Sequence, residues 1–455
     1  MAAVQSSGAV LRAKKPFQTD HVTITGTMFQ YQYMAYFNYY MSQVDTSDSS
    51  YQYMASYLQN YYMSYAMSAA ADQCEVYATY AEAAHREGVK LDDADKANVT
   101  NYMNGLPSEA ASYGYANVNN YLTAAYGSGV KTKDVKAMYE LNLLCSKYEQ
   151  QLGERMEDAL TEQEVLDYFT ENADKYITAS YLGYSFNVSP KPVNSADYSS
   201  TEAYNAAVDA ANAEYEQAKA DALEKAKALC TATGSEDFTA KLAADGLTPT
   251  EGKGVIKANL SNEEVAAWIF DAENPAKVDE TKYFSLEDNN KFTVVAYIMT
   301  KSASRDETVT KNVHYILNAA SSLSAADAAA FVEEFKASSI GQTKEVFTLN
   351  ATAKGWSDYI HIVENANPSA FNIEAVNTWL ADAKAGDIFT TTTTVSGTEA
   401  NIIVFVDSLG ESQWYVNAKI DFMNANLEKW LGEHKTEYNL KVDLSYWQDE
   451  AAEAA

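Results

Sequence analysis

Residues whose side chains could carry out chemistry are few in this chain and widely spaced. Of the five histidines, His85 precedes Arg86 at the end of a predicted helix, where a cation interacts favourably with the helix dipole. His361 and His434 have no partners at the spacing of a metal site or a catalytic centre, and we interpret them as surface residues. The sequence contains no phosphate-binding loop, G-x-S-x-G, H-E-x-x-H or EF-hand pattern. It therefore predicts no cofactor and no metal site.

The three cysteines, Cys74, Cys145 and Cys230, lie far apart and form no C-x-x-C pair. This spacing excludes a cysteine zinc motif and argues against a disulfide scaffold. Two interpretations remain open for the first two: a single Cys74–Cys145 disulfide, or buried free thiols.

Two segments are unusually rich in tyrosine and methionine: Met28–Met41 and Tyr51–Met67, separated by the polar stretch Asp45–Ser50. Both predict helices that are apolar around much of their circumference. They are either the ordinary core of a helix bundle or a partly exposed binding surface, because methionine repacks easily and tyrosine combines apolar area with a hydrogen-bonding tip. The candidate binding residues, with two tryptophans from further along the chain, are Met28, Tyr31, Met34, Phe37, Tyr40, Tyr57, Tyr61, Trp268 and Trp379.

Length and charge limit the function classes. A chain of 455 residues is too long for one core and predicts about three domains. The net charge of -30 argues against nucleic-acid partners and adsorption to anionic lipid, because both need clustered Lys and Arg. No apolar run approaches the ~20 residues that span a bilayer. The basic, small-residue stretch Ala2–Pro16 is of the kind that follows a removed membrane anchor, and we expect that such an anchor preceded it.

The first 175 residues read as helices. We predict a flexible lead-in over residues 1–20 and a helical domain over 21–175, with breaks at Gly105–Pro107 and Gly127–Gly129. Thr161 followed by Glu164 is a capping box, which predicts a short helix. After Lys175 the hydrophobic period changes to that of strands, and we place a domain boundary there.

The remainder predicts strands and helices in a pattern that repeats once, over residues 176–306 and 307–410. Trp268 and Trp379 fall at similar places in the two copies. An amphipathic helix follows within the segment 411–455, and its tail, Gln448–Ala455, is predicted to be disordered. The predicted fold class is α+β and multidomain, with an all-α N-terminal domain and two α+β domains.

Several of these segments resemble a known family. The acidic helix Thr161–Tyr176 runs into the strand Ala179–Leu182, Gly234–Ala243 is similar to the parvulin G-x-x-F-x-x-x-A segment, and Thr378–Ile388 is similar to the parvulin helix and glycine turn. They resemble the PrsA and SurA-like secreted foldases, which join a helical chaperone domain to parvulin-type prolyl isomerase (rotamase) domains. The resemblance implies a SurA/PrsA-type chaperone domain at 21–175, parvulin-like domains at 176–306 and 307–410, and a C-terminal helix that packs back on the chaperone domain.

The resemblance also indicates where catalysis would occur. Parvulin pockets present two histidines, one on the first strand and one on the last. Neither copy here keeps either histidine; the degenerate positions are Tyr181 and Thr293 in the first copy, and Tyr315 and Asn401 in the second. His314 stands one residue before Tyr315, and because strand side chains alternate between faces it should point away from the pocket. We assign no catalytic residue.

Three functions follow as hypotheses. The leading one is an extracytoplasmic, membrane-anchored foldase-type chaperone at the outer face of a bacterial membrane, which binds unfolded or secreted polypeptide clients without strong catalysis. The alternatives are an active peptidyl-prolyl cis-trans isomerase with a rearranged pocket and a surface adaptor for one dedicated partner. We expect no nucleic-acid partner, leave a homodimer open, and expect membrane contact only through the N-terminal anchor.

Overall fold

The computed structural model describes residues 8–45, 51–288 and 291–448. The chain divides into two compact units. One contains the residues up to Thr161 together with those from Asp421 onward, and the other contains Glu162–Ile420. The first is mainly helical with a small three-stranded sheet, whereas the second holds two four-stranded antiparallel sheets. The predicted fold class, α+β and multidomain, is confirmed.

The helical unit begins with a series of helices whose starts are set by capping. Thr25 accepts a hydrogen bond from the backbone N–H of Met28, and Asp92 forms a capping box with Asp95. Within the described ranges the elements up to Thr161 are α1 (Gly8–Ala13), α2 (Gly26–Ser42), α3 (Tyr51–Glu87), α4 (Asp93–Ser112), α5 (Val118–Tyr126), α6 (Thr132–Ala159), β1 (Phe17–Gln18) and β2 (Thr23–Ile24). Residues 46–50, in the predicted polar gap, lie outside the described residues.

The structure differs from the flexible lead-in predicted for residues 1–20. Residues 1–7 lie outside the described residues, but the stretch after them forms α1 and β1. Leu11 and Phe17 are almost fully buried, and Arg12 donates a hydrogen bond to the carbonyl of Gly129 over 2.7 Å. Burial of these two apolar side chains contributes to ordering this short segment.

The break predicted at Gly105–Pro107 is wrong, because α4 continues to Ser112 with Pro107 inside it. A proline inside a helix removes one backbone hydrogen bond. Leu106 and Ala110 are buried on either side of this position, in a cluster with Leu122 of α5. Packing of this face therefore outweighs the lost bond.

The second unit contains α7 (Glu162–Glu171) and two sheets in sequence. The first sheet and its helices are β3 (Ile177–Val188), α8 (Thr201–Leu229), α9 (Ser235–Ala244), β4 (Thr250–Ile256), α10 (Glu263–Ile269), β5 (Thr281–Asp288) and β6 (Lys291–Arg305). The second set is β7 (Val309–Ala319), α11 (Ala325–Lys336), α12 (Lys344–Ala353), β8 (Ile360–Ala366), α13 (Glu374–Asp382), β9 (Ile388–Val395) and β10 (Thr398–Ser412).

Both sheets have one topology, with strand orders β4-β3-β6-β5 and β8-β7-β10-β9. Both also carry a β-bulge held by the same kind of bond. The hydroxyl of Ser180 accepts from the backbone N–H of Gly254 over 3.1 Å, and the side-chain oxygen of Asn312 accepts from the backbone N–H of Asn365 over 2.8 Å. Gly254 and Asn365 have φ values of 59° and 51°. The two sheets therefore correspond residue by residue around the bulge.

Helices cover both faces of each sheet. In the first, α8 and α9 pack on one face, where Phe238 is buried, and α10 packs on the other with Trp268. In the second, α11 and α12 bury Phe331 and Phe347 on one face, and α13 brings Leu380 to the other. Each residue of β3 and β7 can therefore be assigned to one face of its sheet by the cluster that its side chain joins.

The short helix at Thr161–Tyr176 lies in the second unit rather than in the helical domain predicted over 21–175. Val165 of α7 is fully buried. Phe169 packs on Tyr176 and Trp414, with ring centroids 5.6 and 4.6 Å apart, and the guanidinium of Arg305 lies 4.3 Å from the Trp414 centroid. These aromatic contacts fix α7 within the second unit.

α14 (Gln413–Glu437) starts in the second unit, and its residues from Asp421 onward belong to the helical unit. There the ring of Trp430 lies 5.7 Å from that of Tyr80 and 5.9 Å from that of Tyr148. β11 (Lys441–Val442) pairs antiparallel with β1 and completes the sheet β11-β1-β2. Residues 449–455, in the tail predicted to be disordered, lie outside the described residues.

Candidate functional site

The first half of α2 is buried. Met28, Phe29 and Tyr33 are less than a tenth exposed. The hydroxyl of Tyr31 lies 3.2 Å from that of Tyr102, and burial raises the pKa of Tyr31 above its usual range. Met34 and Phe37 are half-buried against the same core. All five predicted binding residues on α2, Tyr40 included, are thus wholly or partly core residues, because α2 is apolar around much of its circumference and one side must face the bundle.

An exposed row of aromatic rings lies on α3. Tyr57, Tyr61 and Tyr65 follow one another at four-residue spacing, which places them on one face of the helix. Their ring centroids are 6.4 Å apart in each step, with interplanar angles of 18° and 3°, and the side chains are 69%, 54% and 55% exposed. We call these three residues the tyrosine ladder.

The ladder is supported by the second half of α2. The ring of Tyr40 meets that of Tyr65 edge-on at 5.0 Å and stacks with that of Tyr62 at 6.2 Å. Tyr39, which is 61% exposed, meets Tyr40 edge-on at 5.5 Å. Partial burial in this cluster raises the pKa of Tyr40. Ring–ring contacts of this kind hold the exposed tyrosines in fixed orientations.

The segment of the chain that carries the ladder is almost free of charged residues. Residues 26–71 contain two charged side chains, Asp45 and Asp48, although the whole chain has a net charge of -30. Met54 is 46% exposed beside the ladder, and Met63 and Met67 are half-buried behind it. The ladder and these methionines therefore form an aromatic and adaptable surface, carried by a segment with few charges in a strongly acidic protein.

The two predicted tryptophans lie in the second unit. Trp268 is 9% exposed, donates its indole N–H to Glu280 over 3.0 Å and packs on Phe284. Trp379 is half-buried and stacks on Phe389 with centroids 5.2 Å apart. Both side chains pack between a short helix and one face of a sheet, where large apolar side chains usually lie. Trp268 is almost fully buried there.

The predicted positions Tyr181 and Thr293 do not form one pocket. Tyr181 pairs with Met299 across β3 and β6, and its ring meets that of Tyr297 edge-on at 5.1 Å. Thr293 lies six residues along β6 from Met299, which corresponds to roughly 20 Å at the rise of a strand. The hydroxyl of Thr293 instead donates a hydrogen bond to the side-chain oxygen of Asn187 over 2.9 Å. The two side chains cannot act on one substrate atom.

Tyr315 and Asn401 also lie apart, on opposite faces of the second sheet. Tyr315 packs on Phe371 and His361, whereas Asn401 is buried and donates to the carbonyl of Leu323. His314 faces away from Tyr315, towards Phe347 and Phe405, as predicted.

The strand pairings beside the two bulges show which residue of β7 corresponds to Tyr181 of β3. Tyr181 pairs with Met299 beside the first bulge, and Val313 pairs with Val406 beside the second. Val313 is therefore the counterpart of Tyr181, and Tyr315 is two residues too far along. The equivalence of Tyr181 and Tyr315 that we predicted is wrong.

The helical unit also contains an open cleft of about 370 Å³. Its apolar wall includes Met28, Leu91 and Leu144, with Lys90 and Glu140 among the lining residues. Met28, whose exposure is 8%, reaches the surface at this cleft. An apolar side chain of a ligand fits such a space, and Lys90 and Glu140 are the charged groups among the described residues that line it.

A buried carboxylate, which the sequence did not single out, lies at the end of α3. Glu82 is fully buried and accepts hydrogen bonds from Thr19, His21 and Arg86 at 2.7–2.8 Å. Burial alone would raise the pKa of Glu82, but the bonds from Arg86, His21 and Thr19 lower it to about 2. The group is a structural anchor between the β1–β2 turn and α3.

Other ionisable residues are structural as well. His434, predicted to be a surface residue, stacks on Trp430 with centroids 3.9 Å apart and is only partly exposed. Cys74 and Cys145 are buried free thiols, and burial raises the pKa of each. Among residues 8–45, 51–288 and 291–448, no cluster of His, Cys, Asp and Glu has the form of a metal site. None of the helices in these ranges combines the length and apolar composition that crossing a bilayer requires.

Comparison with known proteins gives weak similarity only. No family model and no curated protein matches the sequence. Among solved structures, the chain is similar to the foldase protein PrsA from Streptococcus pneumoniae str. Canada MDR_19A, at 14% identity over 68% of this chain and 79% of that one, with a TM-score of 0.19. It is also similar to the foldase protein PrsA from Lactococcus lactis, at 13% identity over 64% of this chain and 79% of that one, with a TM-score of 0.18. Scores this low identify no family, and the function must be argued from the residues of this chain.

Proposed function

We propose that this chain is an extracytoplasmic foldase-type chaperone that binds unfolded or secreted polypeptides through the tyrosine ladder and the residues beside it. The observation that carries the proposal is the ladder itself, in which three neighbouring tyrosines are each more than half exposed. A contiguous exposed apolar patch marks an interaction site, because a soluble protein otherwise keeps such patches small.

The chemistry of this surface suits ligands of varied sequence. A tyrosine ring offers about 150–250 Å² of contact area at a low cost in side-chain entropy. Met54, Met63 and Met67 beside and behind the ladder can repack against side chains of different shape. The acidic remainder of the chain keeps such a surface soluble and repels further copies of the protein.

The location outside the cytoplasm and the parvulin-like character of 176–306 and 307–410 belong to the same proposal. The resemblance of the sequence to secreted foldases supports the location. The shared strand order and bulge of the two sheets support a tandem repeat. An anchor ahead of Ala2 stays a prediction.

Suppression of aggregation tests the proposal. The full chain, without nucleotide and at an equimolar ratio, should reduce light scattering by a chemically unfolded client as that client refolds. The triple variant Tyr57→Ser/Tyr61→Ser/Tyr65→Ser should lose most of this effect, because it removes the aromatic area and keeps the helix.

A matched control distinguishes the ladder from tyrosine content. The triple variant Tyr113→Ser/Tyr198→Ser/Tyr359→Ser removes tyrosines that are 67%, 39% and 44% exposed elsewhere, and should protect the client as well as the unmodified chain. Equal loss in both triple variants, or no loss in the ladder variant, would contradict the proposal. Capture of one stoichiometric partner in place of many clients would favour the adaptor hypothesis.

A further inference from the structure

The outer edge of β9 lacks the features that normally block strand pairing. β9 pairs with β10 on one side and, among the described strands, with no strand on the other. Its sequence, Ile-Phe-Thr-Thr-Thr-Thr-Thr-Val, contains no charge and no proline, and its register with β10 is unbroken over eight residues. Proteins usually protect an edge with charges, prolines or bulges.

The other three sheet edges of the second unit are protected in these ways. β4 carries Glu251 and Lys253 and has a register shift against β3. β5 carries Lys282 and two acidic residues at its end. β8 carries Glu364 and has a register shift against β7. Of the four edge strands, β9 therefore differs in having neither a charged residue nor a register shift.

The register shows which groups of β9 face outward. Val406 donates its N–H to the carbonyl of Asp387, and Glu399 accepts from Ala320 on the side of β7. In an antiparallel strand the backbone N–H and C=O groups of successive residues point alternately to the two neighbouring strands. The even-numbered residues of β10 therefore form their backbone hydrogen bonds with β9. They meet odd-numbered residues of β9, such as Thr391 opposite Ile402. The N–H and C=O groups of Thr390, Thr392 and Thr394 consequently point to the open edge.

We propose that β9 accepts an extended segment of a bound polypeptide as a fifth strand of the second sheet. This inference rests on the proposed function and adds a contact directed at the backbone to the aromatic one. Main-chain hydrogen bonds supply affinity in such strand addition and depend little on sequence. A chaperone that binds varied clients needs recognition of this kind.

Charge determines the chemistry of the added strand. Two copies of this chain, each with a net charge of -30, repel one another, which disfavours pairing of β9 with a second β9. Thr392 and Thr394 are exposed and uncharged, and β-branched side chains pack well against others of their kind across strands. The expected occupant is an extended segment that is rich in β-branched residues and neutral or positively charged.

A pair of synthetic peptides tests this inference on the full chain. The probe is an alternating threonine–valine peptide of eight residues with a lysine at each end. Its control has the same side chains, with backbone N-methyl groups on two adjacent central residues, so that both of its edges are blocked. Hydrogen exchange of the amides of Thr390, Thr392 and Thr394 is measured with and without each peptide.

The probe should slow exchange of these three amides by roughly tenfold or more, since they become hydrogen-bonded, and the N-methylated control should not. Equal protection by the control would overturn the inference, and so would no protection at saturating probe. Protection that appears without peptide and increases with protein concentration would show pairing between copies and would also overturn it.

Two variants of one residue provide a second measurement. Thr394→Pro removes an outward N–H and obstructs the edge while the bonds from β10 remain, because residue 394 points outward. Thr394→Val keeps the N–H and the shape. The proline variant should bind the probe about tenfold more weakly, and the valine variant should bind it as the unmodified chain does. Equal binding by both variants would contradict the inference.

The tyrosine-ladder variant separates this inference from the proposed function. It should lose aggregation suppression and retain protection of β9 by the probe. If the unmodified chain suppresses aggregation but shows no protection at β9, this inference alone fails. If β9 is protected but the chain never suppresses aggregation, the proposed function fails.

Discussion

The indole N–H of Trp447 donates a hydrogen bond to the side-chain oxygen of Gln30 over 2.8 Å, and both side chains are buried although 417 positions separate them. The ring of Phe29 meets that of Trp447 edge-on at 4.8 Å. The backbone N–H of Asp443 donates to the carbonyl of Pro16 over 2.9 Å. The C-terminal segment is thus part of the core of the helical unit.

Replacement of Trp447 should destabilise that unit strongly. Trp447→Ala leaves a cavity and a buried Gln30 without its donor, and we expect a loss of about 3–5 kcal/mol in the free energy of unfolding. Denaturant titration, followed by hydrogen exchange in α2 and α3, measures it. Trp379→Ala, in the second unit, is the control and should leave exchange in α2 and α3 unchanged. A loss below about 1 kcal/mol for Trp447→Ala would show that the C-terminal segment contributes little.

Acid should weaken the helical unit through Glu82. The pKa of this carboxyl falls from 4.5 to about 2 on folding, so its ionised form stabilises the folded state above pH 4.5. This stabilisation, about 3 kcal/mol, is lost as the pH falls from 4.5 towards 2. Unfolding measured across this range should show the loss.

The variant Glu82→Gln should have lower stability at pH 7 and a flatter profile between pH 4.5 and pH 2. Glu236→Gln, an exposed residue of the second unit, should leave the profile of the helical unit as it is. A profile for Glu82→Gln that parallels that of the unmodified chain would refute the assignment.

Prolyl isomerisation should proceed at the uncatalysed rate. A catalytic group must lie within hydrogen-bond reach of the reacting atoms, and the structure separates Tyr181 from Thr293 and places Tyr315 and Asn401 on opposite faces. The spontaneous reaction of an X-Pro bond takes tens to hundreds of seconds, and a protease-coupled assay on a proline tetrapeptide measures it. An acceleration that Tyr181→Phe abolishes would reveal a working centre, whereas an acceleration unaffected by Tyr181→Phe and Tyr315→Phe would point to a contaminant.

Local signals in the sequence predicted much of the fold. The capping box of Thr161 and Glu164 predicts a short helix, and α7 begins at Glu162. The change of hydrophobic period after Lys175 predicts strands, and β3 begins at Ile177. Capping and hydrophobic period are properties of neighbouring residues, so a single sequence displays them.

Properties that depend on distant partners could not be predicted in the same way. The sequence does not distinguish Val313 from Tyr315 as the counterpart of Tyr181, because a shift of two residues along a strand keeps every side chain on its face and leaves the hydrophobic pattern unchanged. The sequence does not show which side of α2 is buried either, since apolar residues lie around much of its circumference. Tyr57 and Tyr61 were named from the sequence, and their four-residue spacing could also have identified Tyr65.

The pairing of β1 with β11 has a consequence for how the protein is made. Because translation begins at the N-terminus, Phe17 is synthesised more than four hundred residues before Val442, its partner in the sheet. All of the second unit is therefore produced, and can fold, while the small sheet still lacks its last strand. Contacts between residues so far apart in sequence form slowly, because closing a long loop costs entropy. The core around Phe29 of α2 is therefore completed only after Trp447 has been synthesised. A truncation near the C-terminus consequently damages the part of the protein that is made first.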